Sequence, residues 1–379
     1  MDGASDSRLE RLARQFAIAG EPVDWSPLGS GHINDTFLAT YAGDGGSMKF
    51  VHQRINTDVF RDPEAVMENI SRVLDHLGAK CRAGHSIAAG MSALELVPAI
   101  DGRNFVVLGG DEYWRTYAYV DGAETIDTAA TPLQVKNAAA AYGRFQRMLA
   151  DLPGPRLHDT IPGFHDTESR YGDLRAAVDD DDAGRAAACG AEIGFAESQS
   201  RLATAIHFSA LPERITHNDT KLNNVLLDVA TGEAVCVIDL DTVMPGTVLY
   251  DFGDMVRSAT ITTAEDESDT DAVHIDLDVF EALAAGYLGA TADWLTAAEI
   301  AGLGLSCEVI TYEIGIRFLS DYLRGDRYFK TAYAEHNLVR AGAQFALLED
   351  MQRNRDRMSA ILERTLGEAQ SPGRQRQVR

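Results

Sequence analysis

The stretch from Ile215 to Asp241 constrains this chain more than any other. It holds two short apolar runs, Val225–Leu227 and Val235–Ile238, on either side of Thr231-Gly232, which is the composition of a β-hairpin. A turn centred between Thr231 and Gly232 sets Asn224 directly opposite Asp239, with Cβ atoms ~4.5–5.5 Å apart. An amide oxygen and a carboxylate at that separation suit one hard cation such as Mg2+. Asp219 lies on the loop entering the hairpin, five residues before Asn224. A carboxylate there can orient a substrate hydroxyl and take its proton during phosphoryl transfer. Lys221 stands between the two positions, where an ammonium offsets charge on the transferring group, and His217 is expected to brace the loop. Any one of these residues alone reads equally well as a solvated group at a hairpin mouth; the ordered set does not.

Length and charge narrow the partners. The 379 residues exceed one ordinary core and suit two lobes sharing a cleft. Lys and Arg total 34 against 58 Asp and Glu, a net charge of −24, which argues against nucleic acid and membrane surfaces as partners. No apolar run approaches the ~20 residues of a membrane helix, and the polar start Met1 to Glu10 is not that of a secretory signal. Cys81, Cys189, Cys236 and Cys307 lie far apart without C-x-x-C spacing. A cytoplasmic enzyme with reduced thiols is expected.

Along the chain, Leu9, Leu12, Phe16 and Ala19 predict a helix over 1–22. Glycine-broken strands follow from Trp25 to Ile55, and Asp62-Pro63-Glu64 opens a helix continuing through Val66, Ile70, Val73 and Leu77. Strands at 93–99, 104–108 and 113–120 complete a small first lobe over 1–119. A larger, mainly helical lobe spans 120–366, with helices at 132–150, 184–208, 276–289, 296–324 and 332–365. The polar segment Phe164 to Tyr171 lies between the first two of these helices. The loop 263–272 is read as solvated, and the tail 367–379 as disordered. The fold class is therefore α+β and bilobal.

The order His217, Asp219, Asn224 and then Ile238-Asp239 after a hairpin resembles the protein-kinase pattern, in which the Asp is the base and the Asn and later Asp hold magnesium. That pattern directs attention to three further places. Ser30, Gly31 and His32, in Leu28 to Thr36, form a turn whose backbone amides suit phosphates. A cation is expected on the third strand, paired with an acid on the next helix; V-A-I-K is absent, and Arg54 with Glu64 or Glu68 is what the sequence offers. Tyr117 and Tyr119, in Tyr113 to Gly122, read as a strand leaving the first lobe and a hinge whose backbone would bind adenine.

The segment His217 to Asp254 resembles the aminoglycoside phosphotransferase and choline kinase superfamily. Over roughly residues 20–350 the chain is similar, more narrowly, to the N-acetylhexosamine 1-kinases. The segments carrying that likeness include Gly31 to Asn34, Gln53 to Asn56, Val66 to Ile70, Phe164 to Thr167, Ile238 to Gly246, Tyr250 to Asp254 and Arg317 to Leu323. The resemblance implies transfer of the γ-phosphate of ATP, with Mg2+, to the anomeric hydroxyl of N-acetylglucosamine or N-acetylgalactosamine. It implies Asp219 as base, Asn224 and Asp239 as magnesium ligands, and Asp241 assisting from the same side of an extended segment; Asp251 is expected to brace the metal loop. For the sugar, Arg317, Asp321 and Tyr322 lie on one helix, with 317 and 321 at i,i+4, and His165, Thr167 and Arg170 are further polar candidates. An amino alcohol or aminoglycoside is the alternative acceptor. A nucleotide-binding pseudokinase is disfavoured by the joint presence of Asp219, Asn224 and Asp239.

Overall fold

The computed structural model describes residues 10–29, 33–83, 92–126 and 131–371. An antiparallel sheet of five strands is built from β1 (Glu21–Pro27), β2 (Asp35–Gly43), β3 (Gly46–Arg54), β4 (Val106–Leu108) and β5 (Glu112–Ala118), in the order β1-β2-β3-β5-β4. Helix α1 (Pro63–Arg82) follows β3. Asp62 caps it by accepting the amide of Ala65, proline stands in the first turn, and Val66, Met67, Ile70, Val73, Leu74 and Leu77 are buried along one face. Leu12, Phe16, Val97, Val106 and Trp114 make a small core of their own at the sheet.

The larger lobe is helical. It comprises α2 (Pro132–Leu149), α3 (Thr167–Asp180), α4 (Gly190–Ser198), α5 (Val248–Ala259), α6 (Leu277–Thr291), α7 (Ala297–Leu323), α8 (His336–Arg353) and α9 (Arg355–Gln370). Between α4 and α5 lie four short strands: β7 (Arg214–Thr216) pairs with β10 (Met244–Gly246), and β8 (Val225–Asp228) pairs with β9 (Ala234–Val237) and with the earlier, two-residue β6 (Ala123–Glu124). Close approach fixes the position of α5: a Cβ on Gly253 would lie 2.5 Å from the carbonyl oxygen of Ser306 on α7, so only glycine lets the two helices touch there. No helix among the described residues is long and apolar enough to cross a membrane.

Several expectations change. The opening helix ends early: among the described residues it reaches only to residue 13, Gly20 takes φ 101°, and chain 21–27 is already strand, while residues 1–9 lie outside the described residues. Segment 93–99 forms no strand and pairs with the sheet through one isolated bridge, Leu96 to Tyr117. The helix expected over 184–208 is reduced to α4 flanked by 3-10 turns; at its expected start Gly184 takes a left-handed φ of 65°. Helix α3 emerges where a polar segment was read, N-capped by Asp166. The helix expected over 332–365 is two, divided at Asn354. The acidic loop is not simply solvated, since Glu265 pairs with Arg257 and Arg340 and Asp266 with His336. Helix α9 runs to Gln370, through Gly367.

Candidate active site

The loop Thr216 to Asn224 is held from three sides. Asn218 takes a left-handed φ of 65°, which Asn tolerates better than most residues. Its side chain explains the conformation: Nδ2 donates to the carbonyls of Thr216 and Thr242, and Oδ1 accepts from the Thr216 hydroxyl. The first turns of α5 supply two buried carboxylates at i,i+3. Asp251 accepts the backbone N–H groups of His217 at 2.9 Å and Asn218 at 2.7 Å, and Asp254 accepts that of Thr220 at 2.9 Å. Asp251 thus braces the loop of Asp219, not the metal turn as expected. Asp254, whose other oxygen takes Arg257, was not anticipated; its signal was the i,i+3 acidic spacing in Tyr250-Asp251-Phe252-Gly253-Asp254. His217 braces as expected. Its Nε2 lies 2.8 Å from the Ile238 carbonyl and its Nδ1 faces the Asp219 amide, so the partners assign the proton to Nε2.

Asp219 and Lys221 meet at 3.2 Å. Burial alone would raise the Asp219 carboxyl, but Lys221 and His217 outweigh it and hold it below the ordinary value. Asn224 donates Nδ2 to both the backbone and side-chain oxygens of Asp219, the latter at 3.1 Å; its amide oxygen is what it has left for a cation. Asp239 follows β9 in a left-handed conformation, φ 58°. Burial, then the neighbouring Asp241 and Asp219, push its carboxyl up to about 8.

The hairpin register differs from the expected one. Val225 pairs with Val237 and Leu226 with Cys236, and the ladder shifts at Leu227. Asn224 therefore faces Ile238, whose amide donates to the Asn224 carbonyl at 2.9 Å. The cause lies in the turn: Asp228 Oδ1 accepts the amides of Ala230 and Thr231 and the Thr231 hydroxyl. Gly232, φ 70°, then closes the turn rather than centring it. Asp239 still joins Asp219 and Asp241, through its own turn and not through the ladder.

Asp241 has a different partner from the one expected. It sits in the 3-10 turn Leu240–Thr242, not on an extended segment, and both its oxygens are taken by Arg115 of β5 in a buried two-pronged pair. Arg115 was not singled out; a lone arginine among the aromatics of Tyr113 to Tyr119 was its only signal. Arg54 pairs with Asp35 across the β2–β3 ladder and with Glu112 at 3.8 Å, not with Glu64 or Glu68. Glu68 meets His158 at 2.9 Å and Arg72 at 3.8 Å. Tyr117 is buried beneath the Arg115 guanidinium. The Tyr119 amide is spent on the Lys49 carbonyl and the Ala118 amide on that of Glu95, so neither is free for adenine. Ser30, Gly31 and His32 lie outside the described residues.

A second cluster adjoins the Asp219 loop. His165 joins the Asn218 carbonyl at 2.9 Å to Glu313 of α7 at 2.8 Å, and Thr167 donates to the other Glu313 oxygen at 2.6 Å. Both ring nitrogens of His165 are thereby occupied, so its part is to brace. Burial opposes charge on this imidazole, but Glu313 and the Asn218 carbonyl together raise its pKa. Glu313 itself went unread, although it stands one helical turn before Arg317. Arg317 has Glu313 at 3.9 Å as its i,i+4 neighbour, where Asp321 was expected on the other side. Its guanidinium lies 5.1 Å from the Phe164 ring centroid, with Tyr328 and Phe329 beyond, and close enough to Asp219 for the two charges to interact. Arg170 reaches the carbonyls of Gly163 and Phe164 and is also felt by Arg317. Asp321 does not face this cluster: it accepts the amides of Arg327, Tyr328 and Phe329 and so sets the two rings in place. Tyr322 stacks under Arg185 at 4.5 Å.

Residues 24–300 match the model of a family described as phosphotransferase enzymes. Among solved structures, a microcompartment-associated aminopropanol kinase superposes with a TM-score of 0.58 at 18% identity, covering 95% of this chain and 99% of that one. An aminoglycoside phosphotransferase from Alicyclobacillus acidocaldarius gives 0.54 at 12%, covering 97% and 95%. A spectinomycin phosphotransferase in complex with ADP and spectinomycin gives 0.53 at 11%, covering 92% and 98%. At these identities the likeness is one of fold.

Proposed function

The chain belongs to the phosphotransferase enzyme family, and from that premise we propose that it moves the γ-phosphoryl group of ATP to the anomeric hydroxyl of an N-acetylhexosamine. N-acetylglucosamine and N-acetylgalactosamine are the acceptors meant. Asp219, kept ionised by Lys221, accepts a hydrogen bond from that hydroxyl and takes its proton as the oxygen–phosphorus bond forms and the bond from the γ-phosphorus to its bridging oxygen breaks, releasing ADP. Lys221, half-exposed at the mouth, faces the incoming phosphates. ADP in the spectinomycin phosphotransferase complex supports ATP as donor.

The residues fit Mg2+. Asp239 forms no ion pair with a cation among the described residues and is pressed by two other carboxylates; the Asn224 amide oxygen, whose NH2 is spent on Asp219, is the companion donor this reading assigns. No group of three or more His, Cys, Asp or Glu side chains among the described residues is placed to hold a metal. That suits magnesium, which takes one or two protein oxygens and fills its shell with phosphate and water. When bound, the ion supplies positive charge against the phosphate oxygens.

Arg317 carries the choice of acceptor. Its side chain is only 11% exposed, its one ion pair among the described residues is with Glu313 at 3.9 Å, and three aromatic rings lie against it. Its donors suit hydroxyls and an amide carbonyl, and the rings suit the apolar face of a sugar. A cationic acceptor would meet this guanidinium, with Arg170 behind it, at an electrostatic cost. The aminopropanol and spectinomycin enzymes favour an amino alcohol or aminoglycoside as the second reading. A panel of free sugars, amino alcohols and aminoglycosides with ATP and Mg2+, followed by phosphorus NMR, tests the assignment. The expected product shows phosphorus coupled to H1 of the sugar. Phosphate on C6, or turnover of amines but no sugar, would overturn it.

A further inference from the structure

We propose that Arg115 is the positioning residue of the metal-bearing turn, acting through Asp241 from the five-stranded sheet; this rests on Asn224 and Asp239 as the magnesium ligands. The turn Leu240–Thr242 has no side-chain cap of its own, and Asp239 before it holds a φ of 58°. A non-glycine residue persists in that region only where its surroundings hold it. On one side the holders come from the catalytic loop: Asn218 donates to the Thr242 carbonyl at 2.9 Å and His217 to that of Ile238. On the other side stands Arg115, with Nη1 2.8 Å from Asp241 Oδ1 and Nη2 on Oδ2.

The guanidinium is itself aimed. Gln53, its cross-strand neighbour on β3, accepts from Nε at 3.1 Å and from Nη2 at 3.0 Å. The Gln53 amide nitrogen donates to the Thr36 hydroxyl, which fixes the amide with its oxygen toward Arg115. Asn34 adds a bond from Nδ2 to Asp241 Oδ2 at 3.3 Å, while its Oδ1 accepts the Asn56 amide. Three elements of the sheet lobe thus converge on one carboxylate two residues from Asp239.

Stability does not account for such a pair. Arg115 and Asp241 are 0% and 3% exposed, and a buried ion pair can commonly be exchanged for packed apolar side chains with no loss of stability. What an apolar pair lacks is direction. Two parallel N–H···O bonds fix both the distance and the plane of Asp241, and with them the turn that presents Asp239.

Replacing both partners separates positioning from stability. In R115M/D241L of the full chain neither member of the pair is left as a lone charge, although Gln53 Oε1 and Asn34 Nδ2 each lose a partner, and the melting temperature should fall much less than in Arg115→Met alone. Mn2+ binding in the presence of ADP, followed by the loss of the free-ion EPR signal, should weaken by about 10- to 100-fold, the usual effect of removing a partner that orients a metal ligand. Arg115→Lys keeps the charge without the fork, and Asn34→Ala removes one bond to Asp241; each should weaken Mn2+ severalfold, so the inference stays testable if the double variant fails to fold. Folded variants that bind Mn2+ as tightly as the unsubstituted protein would overturn it. No Mn2+ binding by the unsubstituted chain would instead bring down the metal assignment of Asn224 and Asp239, and this inference with it.

Discussion

Asp251→Asn changes one atom, yet it should disable the loop that carries Asp219. The carboxylate is fully buried, with Oδ2 accepting from the His217 amide and from Gln146 Nε2 at 2.6 Å, and Oδ1 accepting from the Asn218 amide. An asparagine keeps more bonds by placing its oxygen at the Oδ2 position. Its NH2 group then faces the Asn218 N–H, donor against donor. One charge-assisted bond is lost, about 1.5–3 kcal/mol, and a buried amide is left unpaired at roughly 1–3 kcal/mol. Relief from burying a charge returns part of this, because burial presses the Asp251 carboxyl upward. A net loss of about 2–4 kcal/mol remains. The lost bond is one of those that hold Asn218 at φ 65°, beside the bonds of its own side chain, so the active loop conformation suffers most directly. If about 2–3 kcal/mol falls on that conformation, the competent fraction drops roughly 30- to 150-fold. Urea unfolding should show the stability loss, and steady-state kinetics a matching fall in kcat with a smaller change in the KM for ATP. A variant with unchanged kcat and an unchanged urea midpoint would refute the bracing role of Asp251.

Asp219→Asn should abolish turnover while leaving ATP affinity within a few-fold, since the carboxylate acts in the transition state; near-normal kcat would remove Asp219 from that role. Asn224→Ala and Asp239→Ala should each weaken Mn2+ binding in the ADP complex, and together by less than the sum in free energy because they serve one site. Strict additivity would mean that they do not share an ion. His165 has a raised pKa in the folded chain, so its stabilising charge is fully present below the unfolded value of about 6.5 and is lost as pH climbs through the folded value. The advantage of the unsubstituted protein over His165→Gln in urea should therefore be larger at pH 6 than at pH 9, and the reverse order would contradict the His165–Glu313 pair.

What could be read from the sequence was what lies close along it. Asp219, Lys221 and Asn224 fall within one loop, and the loop does bring them together. Asp239 was found too, though by an argument that failed in detail: a Thr-Gly pair marks a turn, but not which residue centres it. Asp228 decided that by capping the turn with its side chain. The other partners are separated by stretches over which no spacing rule operates. Asp251 meets the Asp219 loop from 34 residues away, Arg115 meets Asp241 from 126, and His165 meets Glu313 from 148. Asp321 shows the opposite error. Its i,i+4 place beside Arg317 was real, but the exposed amides of the next loop were better partners for its carboxylate than the guanidinium was.

The charges around the cleft suggest what it is built to receive. Most are already answered within the protein: Arg115 by Asp241, Arg257 by Asp254 and Glu265, Lys221 by Asp219, and Glu313 by His165 and Thr167. Two are not. Asp239 forms no ion pair with a cation among the described residues; burial and the charges of Asp241 and Asp219 outweigh the opposing charge of Arg115, so its negative charge is costly unless a further cation arrives. Arg317 is a buried guanidinium whose nearest carboxylate is 3.9 Å away and already bonded twice elsewhere. Ligands that complete the site must bring a cation to the first and hydrogen-bond acceptors to the second. The overall charge of −24 does not decide this, because charges spread over an outer surface are screened within about 10 Å at ordinary salt. An acceptor molecule therefore meets Arg317 and Arg170 at short range rather than the acidic exterior, which favours a neutral, oxygen-rich acceptor over an amine.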